Sequence, residues 1–110
     1  MKPTQVNILG KEYQIAYCDN PANVDMYHRE SLWGQIDFWT QTIRIYDNDR
    51  PGEAIIEALL HEILHGIHTE LRMKCFDDDA GHVTLSLIAM ALADVFTRNG
   101  WLKDAPDGQG

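Results

Sequence analysis

Between residues 53 and about 73 the apolar residues Ile56, Leu60, Ile63, Ile67 and Leu71 recur at spacings of four, three, four and four. Only an α-helix brings such a series onto one side, so the segment predicts a helix with a continuous apolar stripe turned to a core. At about 100° per residue, His61, His65 and His68 fall roughly 100 to 160° from the centre of that stripe. One side of the helix must pack while another presents imidazoles. Any fold open to this chain has to satisfy both.

The residues before this helix follow a different period. Residues 6–9 and 13–17 surround Gly10, a natural tight-turn residue, and predict a hairpin. Residues 19–31 are polar and contain Pro21, which predicts a connecting loop with a short helix around 24–30. A second hairpin is expected from 32–38 and 42–46, where Ile43 and Ile45 alternate with Arg44 to give one apolar and one polar face. Turn-forming Asp47, Asn48, Asp49 and Pro51 then lead into the striped helix, with the proline suited to its first turn. Beyond it, Asp77, Asp78 and Asp79 can cap free N–H groups, so a second helix is expected through Val83 to about Asn99, stopped by Gly100. Strands followed by helices make an α+β chain. Its 110 residues suffice for one domain, over 1–103, followed by a tail over 104–110 that has nothing to bury.

Charge narrows the partners. With 9 Lys and Arg against 17 Asp and Glu, the net charge is −8, which repels phosphate backbones and anionic lipid headgroups, so neither nucleic acid nor a membrane surface is an expected partner. Residues 1–5 have no apolar run behind them to form a secretory signal, and the apolar stretch over 85–96 is too short for a bilayer. The expectation is a soluble, cytoplasmic protein. Cys18 and Cys75 lie far apart with no metal-binding spacing around either and are expected as free thiols.

Chemistry concentrates in His61-Glu62-Ile63-Leu64-His65. Histidines four apart on a helix stand about 6 Å apart along the axis and nearly one above the other, so both can close on one zinc ion at about 2.0 to 2.1 Å. Glu62, rotated about 100° from His61, is badly placed as a third ligand but able to reach a water on the metal, the position of a general base. Chance histidines, placed on a surface or in a core, are the alternative; a buried imidazole pair with no partner would be costly, which favours the metal. For the third ligand the downstream candidates are Asp77, Asp78, Asp79 and His82. His82 at the start of the second helix can project back toward the first; Asp78 or Asp79 is the substitute ligand if His82 only faces solvent. Capping alone is the favoured role of the aspartates. The glycine and histidine that a metzincin places three and six residues after its second histidine are here His68 and Leu71, and no glutamate follows Glu70 to serve as in a gluzincin.

The HExxH helix, the hairpin from Gly34 through Ile45 and the helix from His82 to Leu92 together resemble the small zincin-type metallopeptidases of phages and prophages, related to minimal gluzincins and to ImmA/IrrE-type peptidases. The resemblance implies a small twisted antiparallel sheet packed on two helices, with an edge strand, over 43–46 or 33–38, bordering the zinc cleft and able to pair with an extended peptide. It also implies an acidic third ligand at the opening of the last helix, where this chain has Gly81 and His82. The expected activity is hydrolysis of a peptide or protein substrate: water activated by one zinc ion, with Glu62 taking its proton and returning it to the leaving amine. Tyr46, His28, Tyr27 and His68 are candidates for a second electrophile, each with packing or surface exposure as its alternative. A metal-stabilised regulatory or binding module that turns over nothing is the competing expectation, and amide hydrolysis on a non-protein substrate a third.

Overall fold

The first hairpin forms where the alternation predicts it. Strand β1 (Gln5–Ile8) pairs antiparallel with β2 (Lys11–Cys18). Between them Leu9 and Gly10 both take positive φ, 50° and 97°, the conformation that joins two twisted strands with a two-residue turn. The Gly10 N–H donates to the Asn7 side chain. The structure, a computed structural model, describes residues 3–73 and 77–98. Cys75, Asn99, Gly100 and the tail over 104–110 lie outside the described residues, so the expectations for them do too.

Strands β3 (Gly34–Asp37) and β4 (Thr42–Tyr46) form the second hairpin. The class is α+β as expected, but the sheet is mixed rather than antiparallel. Its strand order is β1-β2-β4-β3, and β4 runs parallel to β2, with Ile15 opposite Ile43 and Tyr17 opposite Ile45. The cause is the connection. The segment after Cys18 starts β3 close to where β2 and β4 end: the Asp47 N–H donates to the Cys18 carbonyl and the Tyr46 N–H to the Trp33 carbonyl. β3 therefore runs back along the outside, and β4 returns in the direction of β2. Alternation within each hairpin carries no information about how two hairpins pair with each other.

The connecting segment holds no helix at 24–30. A short 3₁₀ turn, Pro21–Asn23, precedes a loop wound about Asp25, which is fully buried. The Asp25 carboxylate accepts the backbone N–H groups of Tyr27 and Arg29, the Arg29 guanidinium and the Gln35 amide. Those bonds replace what a helix would have supplied. Arg44 reaches across to the Asn23 and Val24 carbonyls, so the loop lies under the β4 face opposite the core.

Helix α1 (Gly52–Glu70) and helix α2 (Asp79–Arg98) complete the chain. The apolar stripe of α1 is wider than its spacing suggests, because the helix is packed on two sides. Ile55 and Leu59 join Ile8, Tyr13, Ile15, Ile43 and Ile45 in the core against the sheet, with Ile63 and Ile67 at its border. Ile56 and Leu60 instead pack on Ala89 and Ala93 of α2. Leu71, at the end of the stripe, is exposed. The layers are thus sheet, α1, α2: the second helix packs chiefly on the first, where the expectation was a sheet covered by both. Gly66 permits the close approach of α1 to the sheet, since a Cβ there would stand 2.8 Å from the Ile8 Cδ1. No helix among the described residues is long and apolar enough to cross a membrane.

Candidate metal centre

With its apolar sectors used by the sheet and by α2, α1 leaves a third sector facing a cleft, and His61 and His65 occupy it. Their Nε2 atoms are 3.0 Å apart. A tetrahedral ion with bonds of about 2.0 to 2.1 Å holds its nitrogens about 3.3 Å apart, so the pair is spaced for a common ion. His82, on the first turn of α2, completes the group. Its ring lies 5.1 Å from that of His61 and 5.3 Å from that of His65, stacked on the latter, and one ligand atom from each of the three lies within 4.8 Å of the others. Three imidazoles converging in this way could hold a metal ion.

Their protonation favours it. Burial pushes the His61 imidazole down to about 4, with His65 and His82 adding repulsion. His65 is lowered for the same reasons, burial first and then His82 and His68. Both rings are therefore neutral near pH 7, with a lone pair available. The Ser86 Oγ lies 3.4 Å from the His61 Nδ1. Donation from that Nδ1–H to the hydroxyl leaves Nε2 as the free donor atom and fixes the plane of the ring, as partners behind a metal ligand commonly do.

The aspartates fall elsewhere. Asp78 caps α2, accepting the Gly81 N–H at 2.7 Å, and Asp77 stands 3.6 Å from the His68 Nε2. Neither Asp78 nor Asp79 joins the histidine group among the described residues. His68 is buried, which favours packing over surface exposure as its alternative, and it lines a second cavity with Asp77.

Glu62 turns from the histidines toward the sheet and is 8% exposed. Burial pushes its carboxyl up to about 7, against a backbone hydrogen bond from Ile36 that acts the other way. Room for it comes from Gly34, where a Cβ would lie 3.1 Å from the Glu62 Oε2 and 3.2 Å from its Cγ. β3 is an edge strand, and the Tyr46 N–H bond to the Trp33 carbonyl sets the phase of its pairing. By the antiparallel alternation, Gly34 and Ile36 turn their backbone N–H and C=O groups away from β4. Of the two strands named as possible borders of the cleft, β3 is therefore the one with a free edge, while β4 is paired on both sides.

The cleft between β3 and α1 has a volume of about 760 Å³ and contains His61, Glu62, His65 and His82. None of Tyr46, Tyr27, His28 and His68 lines it. Tyr27 instead donates its hydroxyl to Asp37, and Tyr46 packs edge-on against Trp33. Sequence reasoning missed Gly34 and Ser86. Ser86 had a signal, being one helical turn beyond His82 and so on the same side of α2; Gly34, a lone glycine at the start of a strand, also marks a close approach. Comparison of the chain with family models, with curated proteins and with solved structures gives no match in any of the three.

Proposed function

We propose that the protein is a zinc-dependent peptidase, with His61, His65 and His82 as the metal ligands and Glu62 as the general base. The observation that carries the reading is the buried, nearly unsupported carboxylate of Glu62 beside three converging imidazoles, in an open cleft. Zinc suits an all-imidazole set and, when bound, supplies a Lewis acid that acidifies water and polarises a carbonyl. His61 and His65 remain neutral donors because burial disfavours their protonation. Glu62 accepts a proton at its carboxylate and returns it to the departing amine, and an acid poised near neutrality can do both. The outer edge of β3 orients an extended peptide through the backbone groups of Gly34 and the Ile36 carbonyl, the Ile36 N–H being taken by Glu62. The competing reading, a zinc-stabilised binding module, draws on the fact that the three histidines come from both helices, so that one ion would tie α1 to α2.

Glu62→Gln separates the two. With metal measured beside cleavage of a mixed peptide library, the expected result is zinc at one ion per chain in both proteins and a loss of hydrolysis of roughly 10²- to 10⁴-fold in the variant. Wild-type protein purified without chelator and carrying no stoichiometric zinc would overturn the metal assignment. Loaded wild type that cleaves nothing would leave the binding module.

A further inference from the structure

The cleft continues beyond the histidines toward the start of α1, and there it meets Arg50. The guanidinium lies 3.9 Å over the Trp33 ring and donates one Nη1 bond to the Tyr46 carbonyl. Its Nε is buried with no hydrogen-bond partner, and among the described residues no carboxylate stands within ion-pair distance of it. Every other guanidinium in contact with an acid or a carbonyl here is more completely used: Arg29 holds Asp25 and Arg44 holds two loop carbonyls. Glu57, the acid on this part of the cleft wall, acts on Arg50 only through space. A half-buried guanidinium held flat by an aromatic ring, with donors to spare, is built to receive a planar anion.

Resting on the reading of the cleft as a peptide site, we propose that Arg50 is a specificity-determining residue that selects a carboxylate on the bound peptide. Ala54, which lines the cleft with Arg50, stands seven positions before His61 on the helix, about 10 Å along the axis, and an extended chain rises about 3.3 Å per residue. The selected carboxylate therefore lies within about three residues of the scissile bond. An acidic side chain or the chain's own terminal carboxylate presents the same chemistry.

The test uses short labelled peptides carrying Glu, Gln or Lys at each position in turn, and a parallel set ending in a free carboxylate or an amide. Cleavage is measured with the wild type, Arg50→Ala, Arg50→Lys and Arg50→Glu, and binding by fluorescence anisotropy with zinc-loaded Glu62→Gln alone and combined with each Arg50 substitution. The expected result is a preference for the carboxylate of roughly tenfold to a hundredfold at one position, the yield of a charge-assisted bond. Arg50→Ala levels it, Arg50→Lys keeps part of it, and Arg50→Glu turns it toward a lysine at the same position. A Glu-series response locates a side chain, and a response only in the amide series locates the terminus. Equal ratios at every position, or a preference that survives Arg50→Ala, overturn the proposal while leaving hydrolysis standing. Arg50-dependent binding without any cleavage would sink the peptidase reading and keep this one, and peptides that neither bind nor react would end both.

Discussion

Three carboxylates are buried among the described residues, and two of them, Asp25 and Glu62 on opposite sides of strand β3, have surroundings that differ in kind. Asp25 accepts two backbone N–H groups, an amide and a guanidinium, led by the Arg29 bond, and is held well below the usual carboxylate range. Glu62, also buried, has a single backbone bond from Ile36 and is pushed up to about 7. Burial alone raises a carboxyl; only donors reverse it. The chain spends its donors on the carboxylate that shapes the loop and withholds them from the one beside the histidines. A buried acid left short of partners costs stability, and such sites are where proton transfer is expected.

The sharpest way to break the contrast is to remove each charge in turn. For Asp25 the folded carboxyl is depressed, so its contribution is present above the unfolded value of 3.8 and is lost only as pH falls through the lower folded one. Asp25→Asn should therefore lower the thermal midpoint at every pH from 5 to 8, by more than any other substitution discussed here, because an amide keeps one acceptor oxygen for donors that the buried carboxylate satisfies with two. Circular dichroism melts across that range check it, and a variant as stable as wild type would remove Asp25 from its organising role. Glu62 carries the opposite sign. Its folded carboxyl, near 7, lies above the unfolded value of 4.5, so its contribution is full below pH 4.5 and is lost as pH rises through 7. In metal-free protein Glu62→Gln should be the more stable form at pH 8, by on the order of 3 kcal/mol, and by less than about 1 kcal/mol at pH 5. Chemical denaturation in the presence of a chelator measures the gap, and a gap that does not shrink on acidification contradicts the burial argument.

How much of this contrast could be read from sequence follows from the range of the forces involved. His61, Glu62 and His65 are legible because a helix fixes what four residues' separation means, and His82 because Asp77, Asp78 and Asp79 announce where the next helix opens. The expected α+β order likewise follows from local period. Asp25 was invisible: it stands in a polar loop, and its partner Gln35 is ten residues away on a strand whose position depends on the parallel pairing of β2 with β4. The wide packing of α1 was hidden for the same reason, since Ile55 and Ile56 look alike in a periodicity yet face the sheet and α2 respectively.

Gly34 joins the two regions, because it lies one residue before Gln35 and directly under Glu62. Gly34→Ala places a methyl 3.1 Å from the Glu62 Oε2 and 3.2 Å from its Cγ, tighter than ordinary contact. Overpacking of this kind costs about 1 to 3 kcal/mol. The expected signature is a moderate drop in stability together with reduced turnover and unchanged zinc content, read by denaturant melts, peptide cleavage and metal analysis on one preparation. Because Glu62 is held by little else, the side chain should yield where a fully bonded carboxylate would not. Full turnover in Gly34→Ala would mean that the position of Glu62 is not critical.

The smallest expected effect tests whether the metal side has any counterpart to the bonds around Asp25. Ser86 is the candidate, 3.4 Å from the His61 Nδ1 and four residues along α2 from His82. Partners behind metal ligands commonly contribute 10- to 100-fold in affinity; with this long a contact the lower figure is expected, so Ser86→Ala should weaken zinc about tenfold in a competition titration against a chromophoric chelator. Ser86→Thr keeps the hydroxyl and should recover most of the loss. His82→Ala, by contrast, removes a donor atom outright and should lose more than Ser86→Ala in the same titration. If the two variants weaken zinc equally, His82 is acting as a neighbour of the site and not as a ligand. The site would then rest on α1 alone, and α2 would carry only the packing of Ala89 and Ala93.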